Sequence, residues 1–337
     1  MKAVGFIEPG AVDRPDALLD FDLEKPIAYG HDLLVEVEAI SVNPVDTKIR
    51  KRGNSAVGEP QILGWDAAGT VIGVGTQVRN FNIGDRVYYA GTLNRPGTNC
   101  EFHLVDERIV GRMPTSITAA AAAAMPLTTL TAYEMLFERL DINKPVPGGS
   151  GTLLVIGGAG GVGSIAIQLA RCLSDVTVIA TASRPETKAW AKELGADYVI
   201  DHSKELAPQM LELGFGNVDF VYSTTHSQMY AEEVVSMMTP QGRYGLIDGP
   251  DVFDAVPFKS KAISIHWEFM FTRPMFETAD MQRQGEILSE VASLIDAGTI
   301  KSTITNNLGR INAVNLLEAH RLIESGSTRG KIVLAKF

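Results

Sequence analysis

The residues with the clearest chemical potential are Gly157-Gly158-Ala159-Gly160-Gly161-Val162-Gly163. They contain the spacing G-x-G-x-x-G at Gly158, Gly160 and Gly163. The spacing alone says little; its surroundings decide. Ahead of it stands Leu153-Leu154-Val155-Ile156, an apolar run of strand length, and after it apolar residues recur at Val162, Ile165, Ala166, Leu169 and Leu173, the spacing of one helix face. A glycine turn between strand and helix predicts a cradle for a pyrophosphate. Gly158 permits the tight turn, Gly160 lets the backbone approach the phosphates, and Gly163 lets the helix pack close to the strand. The first helical turn, with Gly161 and Val162, offers unpaired N–H groups and a partial positive charge. A glycine-rich turn without a ligand is the alternative, and the flanking strand and helix favour a dinucleotide.

The cofactor's second phosphate is the next question. Val176-Thr177-Val178-Ile179-Ala180 reads as the following strand. A site selective for NAD usually places Asp or Glu at the end of that strand, to hold the ribose 2′-hydroxyl. Here the strand runs into Thr181-Ala182-Ser183-Arg184, and no carboxylate follows until Glu186. Ser183, Arg184 and, one helical turn on, Lys188 suit a 2′-phosphate through charge-assisted hydrogen bonds. Their plain alternative is a solvated helix start. The pattern predicts NADP(H).

The elements around this turn alternate between strand and helix over residues 126–265. Helices are expected near Glu186–Leu194, Lys204–Leu213 and Tyr230–Met238, and strands at Tyr198–Ile200, Val218–Tyr222 and Gly242–Ile247, with a sixth strand in Ala262–Trp267. That rhythm predicts a doubly wound parallel sheet with ligands at the carboxyl ends of its strands. Residues 1–125 lack the rhythm. They read as mostly β, through Leu33–Ile40, Gly69–Gly75, Asn82–Tyr89, Glu101–Val105 and Arg108–Gly111, before a helical alanine run at Ala119–Ala124. The tail, 266–337, carries two amphipathic helices and the strand Lys331–Leu334. One helix uses Ile287, Val291, Leu294 and Ile295, the other Val314, Leu317, Leu322 and Ile323. The tail is too small for a domain and is expected to pack back on the N-terminal region.

The chain has 337 residues, a length for about two domains, and its 45% hydrophobic and 21% charged content is that of an ordinary globular protein. A net charge of −10 argues against a general nucleic-acid or anionic-membrane binder. Ala119–Leu127 is too short an apolar run to span a bilayer. The N-terminus has no apolar signal-peptide core, and two cysteines, Cys100 and Cys172, make no disulfide framework, so the cytoplasm is the expected compartment.

Several separated segments, in order, resemble the medium-chain dehydrogenase/reductase superfamily and its zinc-free quinone oxidoreductase branch. They are Ser41-Val42-Asn43-Pro44-Val45-Asp46-Thr47-Lys48-Ile49-Arg50, Leu63–Val71, Phe81–Val87, Met125–Tyr133, the glycine turn and Gly330–Leu334. The segment His266–Pro274 is similar to a subgroup labelled zinc-type alcohol dehydrogenase-like. The resemblance implies an α/β chain of two domains. A GroES-like β domain would comprise 1–125 with 266–337, and a Rossmann domain 126–265, with the active site in the cleft between them. Zinc-dependent relatives use a cysteine where this chain has Asn43, and Gly-His-Glu where it has Gly64-Trp65-Asp66. Tryptophan does not ligate zinc, so no metal is expected. Asp46 and Asp66 remain as oxygen donors, a poor zinc set alone; Asp46 alternatively orients Lys48 or the ribose, or caps a short helix after Pro44. The resemblance also places His202 against the adenosine 2′-phosphate. Asn43, Lys48, Thr128, Leu246, Ile247, Asp248, Phe269, Met270 and Phe271 then line the nicotinamide cleft, with Asn43 as a catalytic hydrogen-bond donor.

The implied activity is NADPH-dependent hydride transfer to a quinone or an α,β-unsaturated carbonyl. Zinc-dependent alcohol oxidation and a non-catalytic NADPH-binding role are the alternatives. The apolar residues Ile263, Ile265 and Trp267 on an expected sheet edge, with the pairing seen in relatives, imply a homodimer.

Overall fold

The alternation at 33–40 produces an 11-residue strand, Asp32–Val42, and most of the N-terminal region is built on it. The structure, a computed structural model, describes residues 1–53 and 58–337. They divide into two units, Met1–Leu127 with Phe271–Phe337, and Thr128–Met270. The sequence reading divides the chain at 125/126 and 265/266; the units divide at 127/128 and 270/271.

The first unit begins with β1 (Lys2–Phe6), β2 (Leu19–Asp22), β3 (Asp32–Val42), α1 (Pro44–Arg52) and β4 (Gln61–Ile62). It continues through β5 (Ala67–Val74), β6 (Arg86–Tyr89), β7 (Phe102–Asp106), β8 (Val110–Arg112) and α2 (Ala119–Ala123). Next comes α3 (Pro126–Tyr133), which crosses the division. The second unit then alternates: β9 (Thr152–Ile156), α4 (Gly161–Leu173), β10 (Thr177–Thr181), α5 (Pro185–Glu193), β11 (Tyr198–Ile200), α6 (Leu206–Glu212), β12 (Val218–Ser223), α7 (Ser227–Met237), β13 (Met238–Leu246) and β14 (Ser264–Trp267). The tail returns to the first unit with α8 (Thr272–Phe276), α9 (Arg283–Asp296), β15 (Ile304–Asn307), α10 (Ala313–Glu324) and β16 (Lys331–Ala335).

The second unit's strands lie in the order β11-β10-β9-β12-β13-β14, every pair parallel. This is the doubly wound order that reverses at β9 and β12 and opens a crevice at the strands' carboxyl ends. Leu153, Leu154 and Val155 are buried on both faces of the sheet, which explains why β9 reads as a continuous apolar run. The sixth strand forms and is the terminal one, with Trp267 exposed on it. Among the described residues no helix is long and apolar enough to cross a membrane.

In the first unit one sheet follows the path β15-β16-β3-β5-β6-β8, with β7 also paired to β3, and a second follows β2-β1-β4. The tail packs back as expected, because β16 runs antiparallel to β3 with Ile332 opposite Val42. On its other side β3 pairs with β5, with Ile40 opposite Ala67. Three strands carry no usable pattern in the sequence. In β1 the residues after Lys2 are all buried, so nothing alternates, and the four-residue strands β2 and β15 have no fully buried residue.

The tail's second amphipathic helix faces differently from the expectation. Val314 is exposed, while Ala313, Leu316, Ala319 and His320 are buried. The buried stripe contains a histidine because His320 Nδ1 accepts from the buried Arg50 Nε at 3.1 Å. Arg50 also donates to the Gly10 carbonyl at 2.7 Å and to Glu324. This polar knot joins α1 to α10, and an apolar pattern search passes over it.

Burial pushes His320 down to about 3 and His103 down to about 4. Both stay neutral when folded and would protonate if unfolded, so their stabilising contribution is present above about pH 6.5 and is lost as pH falls below it. Burial pushes Asp46 the other way, up to about 7, so its contribution is lost as pH rises from about 4 to 7. Burial also lowers His202 and His266, so the histidines outweigh the one carboxyl and stability falls on acidification between pH 4.5 and 6.5. Urea unfolding across that window should therefore show stability falling on acidification, and Asp46→Asn should steepen the slope by about 1.4 kcal/mol per pH unit. A flat profile in both proteins would contradict this assignment.

Candidate functional site

The two registers around β3 bring together residues far apart in sequence. Ile332 opposite Val42 sets Lys331 beside Asn43, and Ala67 opposite Ile40 sets Asp66 beside Ser41. Lys331 Nζ donates to Asp66 Oδ2 at 3.1 Å, to the Val42 carbonyl at 3.1 Å and to Asn43 Oδ1. Asp66 Oδ2 also accepts from Ser41 Oγ and from Asn43 Nδ2, each at 2.7 Å, and Asp66 Oδ1 accepts from the Leu127 backbone at 2.7 Å. All four side chains are buried. A buried ion pair persists only when its remaining hydrogen-bonding capacity is filled, and here it is.

At 1% exposure the Asn43 amide is held at both ends: Oδ1 accepts from Lys331, and Nδ2 gives one of its two N–H groups to Asp66. Its backbone N–H is received by Asp46, which caps α1, as the alternative reading of Asp46 anticipated. Lys48 lies exposed on the same helix.

The same residues do not fit zinc. Asp66 spends both oxygens on the cluster, and Trp65 is buried with its indole N–H donated to the Thr92 carbonyl at 3.0 Å. Trp65 packs edge-on against Phe271, with ring centroids 6.3 Å apart. Among the described residues no group of three or more His, Cys, Asp or Glu is placed to hold a metal.

In the second unit the glycine turn sits where α4 begins, with Gly160 as its N-cap. One glycine role shifts by one position. Gly157, at φ +81°, makes the tight turn, whereas Gly158 is required for close approach, since a Cβ there would lie 2.8 Å from that of Ala180. A Cβ at Gly163 would lie 2.3 Å from the Gly157 carbonyl oxygen, so helix and turn pack without room for a side chain. At Gly160 the nearest atom would be 3.5 Å away. The space above Gly160 and the first-turn N–H groups of Gly161, Val162 and Gly163 together fit a pyrophosphate.

The neighbouring strand ends gather the other expected residues. Gly157 N–H donates to Thr181 Oγ1 at 3.0 Å, and that hydroxyl lies 3.1 Å from His202 Nδ1. Thr181, given no role by the sequence reading, thus links the glycine turn to the ends of β10 and β11. Partial burial lowers the pKa of His202. Ser183 and Lys188 are half-buried nearby in sequence, and Arg184 is exposed. The sequence reading finds no acid before Glu186; the fold supplies one. Lys188 Nζ bonds Asp201 Oδ2 at 2.9 Å, and Arg184 Nε bonds Glu186 at 3.1 Å.

The remaining expected residues divide. Leu246 is buried at the end of β13, with Ile247 and Asp248 half-buried after it. Asp248 is committed to the start of α7, accepting from the Ser227 backbone at 2.9 Å and from its hydroxyl. Thr128 is buried near the start of α3. Met270 and Phe271 are core residues, and Phe269 is exposed.

Comparison with known proteins agrees with this architecture. Residues 30–128 match the alcohol dehydrogenase GroES-like domain, and residues 194–334 match the family described as zinc-binding dehydrogenase. The chain is 39% identical over 336 residues to a zinc-type alcohol dehydrogenase-like protein of Staphylococcus epidermidis, covering 99% of each. A crystal structure of a putative zinc-dependent alcohol dehydrogenase protein from Rhizobium etli superposes with a TM-score of 0.99 at 55% identity, over 100% of this chain and 98% of that one. A quinone oxidoreductase structure from Pseudomonas syringae gives 0.82 at 26% identity, over 99% of each.

The Asp66–Lys331 pair gives a direct prediction. Lys331→Ala leaves a buried carboxylate without its cation and should cost about 3–5 kcal/mol in urea unfolding. A loss under about 1 kcal/mol would show that the cluster relaxes around the change and does not fix its members.

Proposed function

The chain belongs to the medium-chain dehydrogenase/reductase superfamily, in its zinc-free quinone oxidoreductase-like branch, and from that premise we propose an NADPH-dependent reductase acting on a quinone or an α,β-unsaturated carbonyl without zinc. The observation that carries this reading is the closed environment of Asn43, Trp65 and Asp66, which supports chemistry independent of a metal.

Oxidising a simple alcohol requires loss of its hydroxyl proton as hydride leaves, a step that zinc assists by lowering the alcohol's pKa. A conjugated carbonyl asks less of the protein. When bound, the reduced nicotinamide supplies hydride to the electron-poor carbon, and the resulting negative charge spreads onto the carbonyl oxygen. The chain's own tasks are then to hold, orient and exclude water. Gly160 and the first turn of α4 hold the pyrophosphate; Ser183, Arg184, Lys188 and His202 take the 2′-phosphate. Asn43, fixed by Asp66 and Lys331, sets the shape of the polar wall on the first unit, and solvent supplies the proton.

NADPH oxidation followed across quinones, enones and matched saturated alcohols tests the reading. Turnover of the conjugated acceptors and none of the alcohols is expected. Gly160→Ala should weaken NADPH binding while leaving the fold intact, because the backbone has room for the methyl group. NADP-dependent alcohol oxidation by metal-free protein would overturn the proposal, and NADPH binding with no turnover of any acceptor would favour the non-catalytic role.

We also propose a homodimer formed through β14, which ends the second unit's sheet with Ile265 half-buried and Trp267 exposed. Light scattering should give twice the 36.3 kDa chain mass at micromolar concentration; the monomer mass would rule the dimer out.

A further inference from the structure

We infer that Asp201 is a specificity-determining residue, one that restrains the preference for NADPH over NADH by holding the ammonium of Lys188. The inference rests on the cofactor reading above and concerns a residue to which that reading gives no role.

Asp201 follows β11 directly, at the end of the sheet where the glycine turn, Thr181 and His202 meet. Its two oxygens have separate partners. Oδ2 accepts from Lys188 Nζ at 2.9 Å, and Oδ1 accepts from the Ser203 backbone at 3.0 Å and the Ser203 hydroxyl at 2.6 Å. The Ser203 bonds anchor the carboxylate, and together with Lys188 they hold its pKa well below the ordinary carboxylate range. Glu186 differs: its bond to Arg184 joins two exposed side chains, with 44% and 55% exposure, and such pairs rearrange at little cost.

An anion that bonds Lys188 must share one ammonium with this anchored carboxylate. Two acceptors on one Nζ lie within about 5–6 Å of each other. A phosphomonoester near neutral pH carries nearly two negative charges, so it meets both a neutralised lysine and a fixed negative charge. A ribose hydroxyl carries no charge and meets neither penalty. The penalty therefore falls on NADPH alone. His202, beside Asp201 in sequence and bonded to Thr181, has its pKa lowered by burial.

The test is equilibrium titration of the full-length protein with NADPH and with NADH, read by nicotinamide fluorescence, for the wild type, Asp201→Asn and Glu186→Gln. Asp201→Asn keeps the shape and removes the charge. It should tighten NADPH by roughly three- to tenfold, leave NADH within about twofold, and lose most of that gain at 0.5 M salt, where exposed charges are screened. Glu186→Gln should change NADPH by less than about twofold. Asp201→Ser, with its fold checked by circular dichroism, repeats the charge removal with a smaller side chain. Equal changes for both cofactors, or weaker NADPH binding in Asp201→Asn with the fold intact, would overturn the inference and make Asp201 an orienting residue for Lys188. Wild-type protein that binds neither dinucleotide would instead remove the cofactor reading, and this inference with it.

Discussion

The first unit depends on one buried ion pair. Lys331, six residues before Phe337, meets Asp66 between two strands that flank β3. Separating such charges from water is unfavourable unless every remaining lone pair and proton finds a partner. That requirement draws in Ser41, Asn43, the Val42 carbonyl and the Leu127 backbone. The consequence is a fixed, buried polar cluster of Ser41, Asn43, Asp66 and Lys331. The constraint also explains why the tail returns to the N-terminal region: β16 supplies the cation that Asp66 needs.

The second unit is governed by a different limit, the space a Cβ requires. Gly157 turns the chain, while Gly158 and Gly163 let strand, turn and helix approach more closely than any other residue would allow. Gly160 has room to spare, so its glycine is not demanded by packing within the chain. That difference separates the glycines needed for folding from the one whose smallness faces outward. Thr181 then couples the turn to His202, so the region that would meet the phosphates and the one that would meet the adenosine are held by one short hydrogen-bonded path.

Much of this was legible in the residues. The strand–helix rhythm of 126–265 appears as a six-stranded parallel sheet, because buried parallel strands leave continuous apolar runs and their helices leave periodic ones. The glycine turn was legible as a site, though not which glycine made the turn, since φ does not show in composition. What stayed hidden depends on pairing. Nothing in Lys331 or Asp66 announces a partner 265 residues away until the registers of β16 and β5 on β3 are known. Asp201 escaped in the same way. The absence of an acid after β10 is a statement about one strand, and the neighbouring strand supplied the carboxylate to Lys188. The stripe of α10 was misplaced because a histidine occupies a core position there to receive Arg50.

In the proposed function, the buried cluster around Asn43, Trp65 and Asp66 stands in place of a metal, and the acceptors are ones that need none. The most direct measurement is zinc content by elemental analysis, on protein produced with zinc in excess and assayed in the same preparation for NADPH-linked reduction of a quinone. Far less than one zinc per chain is expected, with activity indifferent to chelators. One zinc per chain, with activity lost on chelation, would contradict it.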